Sequence, residues 1–174
     1  MSDPIADPHR QQQLYWKQFV QLKADSVAIR LYRNDRAKWT TRLGVIRGVA
    51  SSGSIAAWAI WKELSFVWGA IIAVSQVVDA LKDVFPFVKQ HKAAADLTRD
   101  LESLLIEVQF EWENIFASPP SNPAIMDKRQ KIMEMQLKLE RKHFPDGLEM
   151  PPKLFTLAES EAKAYFQTTY GSSV

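Results

Sequence analysis

The chain has no cysteine. Disulfides, thiol nucleophiles and cysteine-ligated metals are therefore excluded. Histidine is scarce: His9, His91 and His143 lie far apart, without the spacing of a metal site. Glycine is scarce too, and Ser51-Ser52-Gly53-Ser54 lacks the Gly-x-x-x-x-Gly-Lys-Ser/Thr pattern of a phosphate loop. Glu140-x-x-His143 is half of a carboxylate-bridged metal motif, but no second copy exists to complete it. It reads instead as a solvated helix end, with His143 near the negative pole of the helix. No nucleophile elbow occurs. The sequence thus nominates no catalytic residue, no cofactor and no metal ligand, and an enzyme is the class it supports least. The N-terminus lacks the basic start and apolar stretch of a cleavable signal peptide.

A net charge of +2 gives no reason to expect nucleic acid as a partner. The charges are nevertheless segregated. Between Arg30 and Arg47 six bases stand against one acid, Asp35. Between Asp96 and Glu113 six acids stand against one base, Arg99. The basic block, with Tyr32 and Trp39 among its charges, has four readings: a nucleic-acid surface, attraction to an anionic leaflet, a topology signal, or pairing with the acidic block. The last three are simpler.

Glycine and proline are absent from His9 to Thr40, where Tyr15, Phe19, Leu22 and Ile29 recur at helical spacing. A second stripe, Leu97, Leu101, Leu104, Leu105, Val108, Trp112 and Ile115, predicts an amphipathic helix ending at Ser118-Pro119-Pro120-Ser121-Asn122-Pro123. A third helix carries Ile125, Ile132, Met135 and Leu139 and ends at the Pro145-Asp146-Gly147 turn; a last one closes at Gly171. The expected fold is all-α, without strands. Its divisions are a leader (1–8), a basic amphipathic helix (9–42), an apolar hairpin (43–88), an amphipathic helix (89–117), a Pro-rich linker (118–123) and a helical tail (124–174).

The hairpin carries the functional reading. Gly48 to Trp61 and Leu64 to Val78 contain no charge, and Lys62-Glu63 between them forms a polar tip. A membrane span needs about 20 mostly apolar residues. Each arm reaches about that length only by tolerating one ionisable residue near its inner end, Arg47 in the first and Asp79 in the second. Both lie sixteen residues from Glu63, so a hairpin turning there sets them at one depth. Pairing makes them far less costly in lipid than either alone. Trp58 and Trp68, each five residues from Glu63, would anchor the tip end, and Trp39, Phe85 and Phe87 the opposite boundary. Small residues such as Gly48, Ser52, Ala56, Gly69 and Ala73 allow close helix approach. Ser51, Ser54, Ser75 and Gln76 would form a polar seam, and line a pore in an oligomer. Basic residues flank the arms, while the tip has only Lys62, which places both termini in the cytoplasm. A buried, soluble hairpin is the competing reading.

This layout resembles the SLATT domain, a two-transmembrane effector associated with bacterial anti-phage, nucleotide-signalling defence modules. The residues carrying the likeness are Leu31-Tyr32-Arg33, the small-residue run Ser51 to Ala57, and Trp68-Gly69-Ala70-Ile71-Ile72-Ala73 leading to Phe85-Pro86-Phe87. The likeness covers residues 10 to 117. It implies an inner-membrane effector that homo-oligomerises, contacts membrane lipid and permeabilises the bilayer. No nucleotide-binding domain is recognisable here, so the resemblance further implies a separate sensor protein. A membrane-anchored adaptor and a soluble all-helical regulatory protein remain as alternatives.

Overall fold

A computed structural model describes residues 8–52 and 87–171, together with positions 69, 70, 73, 76 and 77, which are helical. The described chain is all-helical. It comprises α1 (Pro8–Ser52), α2 (Phe87–Ala117), α3 (Asn122–His143) and α4 (Pro152–Tyr170), with no strand among the described residues. α1 runs through residues 42 and 43 without a break.

Two compact units divide the chain. The first comprises residues 1–32 and 93–174, and the second residues 33–92. In the first unit, α1 up to Tyr32 and α2 from Ala93 pack with α3 and α4 as an up-down-up-down bundle. The sequence dictates the pairing. Tyr15, Phe19, Leu22, Ser26 and Ile29 on α1 are spaced alternately four and three residues apart, and all are buried. So are Ala94, Leu97, Leu101, Leu104 and Val108 on α2. Alternating three-and-four spacing keeps one seam facing a partner helix at a small crossing angle. α3 adds Ile125 and Ile132, and α4 adds Ala158, Ala162 and Phe166. Ala158 packs with Val27 and Ala28 of α1.

The helix ends follow local chemistry. Pro119 and Pro120 are non-helical, and Pro123 sits in the first turn of α3, where its missing N–H costs nothing. Arg141, Lys142 and His143 in the last turn of α3 face the negative end of its dipole. Gly147 (φ 84°) donates to Phe144 O across the turn, and Gly171 (φ 64°) caps α4 by donating to Gln167 O. Both need the left-handed conformation that glycine adopts freely.

An aromatic cluster closes one end of the bundle. Phe166 is fully buried, with ring centres 4.9 Å from Trp16 and 5.0 Å from Phe19, both edge-on. Trp112 lies 4.9 Å from Trp16. Buried Tyr15 donates its hydroxyl to Glu111 Oε2 at 3.1 Å, and Glu111 Oε1 accepts from Lys128 Nζ at 2.8 Å. Burial first, and Glu111 second, push the Tyr15 phenol far above its usual range. It therefore stays a neutral donor. Tyr15→Phe removes one hydrogen bond to a charged acceptor and is expected to cost roughly 1.5–3 kcal/mol. Chemical denaturation of the two proteins measures it.

Candidate functional site

The bundle uses the acidic block of α2 internally. Asp100 accepts from Lys142 Nζ (2.9 Å) and pairs with His143 Nε2 (2.8 Å), and Glu111 accepts from Lys128. The hydrogen bonds from His143 and Lys142 hold the Asp100 carboxyl below the usual range. His143 thus has a carboxylate partner, and no group of residues that could hold a metal occurs among the described residues. Of the basic block, Arg30 pairs with Glu161 of α4. Pairing between the basic and acidic blocks was one expectation for these charges. Among the described residues, the ion pairs of Asp100 and Glu111 run instead to α3, because the tight linker folds α3 back along α2.

The facing pairs also fix the register between neighbouring helices. Across α2 and α3, the sequence positions midway between Glu111 and Lys128, and between Asp100 and His143, fall at 119 to 122. That is the proline linker, non-helical from Ser118 to Ser121. Across α1 and α2, Tyr15 reaches Val108 and Glu111, and Trp16 stacks near Trp112. Lys23 senses the charge of Glu102, and Ile29 and Leu97 line one cleft. The midpoints of these pairs fall between 61 and 64. α1 and α2 are therefore antiparallel in a register centred on Lys62-Glu63, and Tyr32 and Ala93 lie at the same end of the bundle.

The residues nominated from the sequence fall as follows. Trp39 is about half exposed, and the Arg42 guanidinium sits 5.5 Å from its ring centre. Arg47 and Ser51 are helical residues of α1, Phe87 opens α2, and Gln76 is helical and exposed. Ser54, Trp58, Trp68, Ser75, Asp79 and Phe85 lie outside the described residues, as does most of the hairpin. Gly48 and Gly69 are described, and a methyl group added at either would meet nothing within 4 Å. Among the described residues no helix is long and apolar enough to cross a membrane.

One cleft was not foreseen. It has a volume of about 380 Å³ and lies wholly within the first unit, between α1, α2, α3, the α3–α4 connection and the first turn of α4. Its walls are apolar, including Ile29, Leu97, Leu137 and Phe155, and its polar members are Asp25, Glu140 and Arg141. Asp25 Oδ1 accepts from Gln21 Nε2 and Oδ2 from Gln136 Nε2, each at 2.9 Å. Gln136 Nε2 also donates to Glu140 Oε1 at 2.9 Å. Burial pushes the Asp25 carboxyl up; the two amide donors oppose this, and the neighbouring Glu140 charge adds to it. The sequence did carry a signal: Asp25 is three residues after Leu22 and four before Ile29, so a carboxylate borders the buried stripe of α1.

A raised carboxyl pKa makes the folded state bind more protons than the unfolded state between the two values. The Asp25 penalty is therefore present at neutral pH and is relieved as the pH falls through the raised value toward the ordinary 3.8. Asp25→Asn, which keeps the shape, is expected to be more stable than the parent at pH 7, by a few degrees in midpoint. The gap should narrow toward pH 4. Thermal melts of both proteins across that range check it; a gap independent of pH contradicts the assignment.

No family model, curated protein or solved structure matches the chain.

Proposed function

We propose that the chain is a two-pass, non-enzymatic membrane effector, of the kind the SLATT-like layout implies. Residues 43–88 form its membrane hairpin, and the four-helix bundle is its cytoplasmic control element. The observation that supports this reading is the shared centre of symmetry. The α1–α2 register, fixed by side chains 30 to 50 residues from the tip, centres on residues 61 to 64. The mirrored pairs Arg47/Asp79 and Trp58/Trp68 centre on Glu63. The two patterns share a centre, and this supports a hairpin turning near residue 63. Thr40 and Thr41 donate to Arg36 O and Ala37 O, so their hydroxyls are satisfied within the helix as it approaches the apolar segment.

In this reading Arg47 and Asp79 set the depth of the hairpin in the inner membrane, and both termini stay cytoplasmic. Copies associate through Ser51, Ser54, Ser75 and Gln76, and a separate sensor protein acts on the bundle. Induced expression in bacteria should depolarise the inner membrane, and the protein should stay in the pellet after alkaline carbonate extraction. Unchanged membrane potential at high expression, with and without the neighbouring genes, removes the effector reading; release by carbonate removes the membrane itself.

A second reading, a membrane-anchored adaptor, is favoured by the exposed stripe Met126, Met133 and Leu137 on one face of α3. A stoichiometric protein partner without depolarisation would select it.

A further inference from the structure

Two carboxylates border the same cleft, and neither has a basic partner among the described residues. Three bases near them in sequence are engaged elsewhere. Lys23 stacks on the Tyr165 ring, Arg30 binds Glu161, and Lys142 binds Asp100. Arg141 lines the cleft without an ion pair to either acid. What holds Asp25 and Glu140 together is a neutral amide, Gln136, which donates to both at 2.9 Å. Each Asp25 oxygen accepts one hydrogen bond, and a carboxylate oxygen has room for two. A partly buried acid with spare acceptor capacity and no counter-charge is costly unless a cation supplies it.

We propose that this cleft binds a small organic cation with an apolar body, such as an arylalkyl amine. The ammonium head donates to Asp25 and Glu140, and the body lies against Ile29, Leu97, Leu137 and Phe155. The volume of about 380 Å³ lies at the lower end of the range of small-molecule sites. The apolar walls reward an apolar body, whereas a bare metal cation or a polyamine would leave them unfilled. Phe144, Pro145 and Leu148 of the α3–α4 connection add further apolar lining. The inference stands independently of the membrane reading, because all these residues belong to the bundle.

Isothermal titration of the full chain with 4-phenylbutylamine, 4-phenylbutanol and 4-phenylbutyrate tests it. The three probes share one body and differ in the charge of the head. The amine should bind at least about tenfold more tightly than the alcohol, a margin ordinary for a charge-assisted hydrogen bond, and the carboxylate most weakly. Asp25→Asn and Glu140→Gln should each reduce the preference for the amine to within about threefold of the alcohol. Should Asp25→Asn fail to fold, Glu140→Gln carries the test alone. Equal binding of all three probes, no saturable binding of the amine at millimolar concentration, or an undiminished preference in the folded variants overturns the proposal.

Discussion

Phe166→Ala should destabilise the bundle by about 3–5 kcal/mol, the range for emptying a buried phenylalanine site. In a chain of 174 residues that corresponds to a fall in thermal midpoint of roughly 6–20 °C. The expectation rests on where the ring sits. Phe166 is 0% exposed and meets Trp16, Phe19, Tyr165 and Tyr170 at centre distances of 4.9 to 5.8 Å. Its partners are large, stiff rings on two helices, and they cannot all close in on an alanine. Edge-to-face geometry adds to the loss beyond buried area. Phe116→Ala is the control. Phe116 is 76% exposed, so its removal should change stability by less than about 0.5 kcal/mol. Circular dichroism melts of the three proteins read the difference directly. Equal destabilisation by both variants would mean that α4 is not part of the core.

The second large effect concerns the apolar segment. Ala73 is helical and exposed, and it stands ten residues after Glu63, near the middle of the second arm. If that arm crosses a bilayer, Ala73→Arg places a charge where insertion costs about 2.5–3.5 kcal/mol or more. That is a factor of roughly 100 against the inserted state. The variant should move from the carbonate-resistant pellet to the extractable fraction, and depolarisation should be lost with it. Ala73→Leu should change neither. If the segment is instead covered by protein or solvent, Arg at this exposed position is nearly neutral and both variants fractionate alike. The pair of substitutions thus separates lipid from other surroundings without disturbing the bundle, which ends at Tyr32 and Ala93.

How much of this was legible in the sequence differs by element. The stripe of α2 is the clearest case. Leu97, Leu101, Leu104, Leu105, Val108 and Ile115 are buried, as their spacing predicts. On α1, Tyr15, Phe19, Leu22 and Ile29 are buried too. These stripes are legible because apolar residues on a polar helix must share a face. The part played by α4 was not. Its buried face is Ala158, Ala162 and Phe166, spaced by four, and two alanines give little periodic contrast. Nothing local says that Phe166 meets Trp16 nearly 150 residues away.

Charge partners were equally hidden. Arg30 pairs with Glu161, and Asp100 with Lys142 and His143. Segregated blocks show that charge is unbalanced but not which helix balances it, since that depends on which faces the bundle turns inward. The cleft is assembled from five elements. Its one trace is Asp25, a carboxylate bordering a buried stripe. The proposed turn at Lys62-Glu63, by contrast, rests on mirrored charges in the sequence whose centre the α1–α2 register shares.

The absence of cysteine offers a clean way to examine that turn. Arg47→Cys with Asp79→Cys, oxidised in the native membrane fraction, should form an intramolecular disulfide, because a hairpin centred near residue 63 sets the two at one level. Arg47→Cys with Gly69→Cys, displaced by ten residues or about 15 Å along a helix, should not. Cross-linking of the first pair several-fold above the second is the result this account predicts; equal cross-linking of both, or of neither, contradicts it.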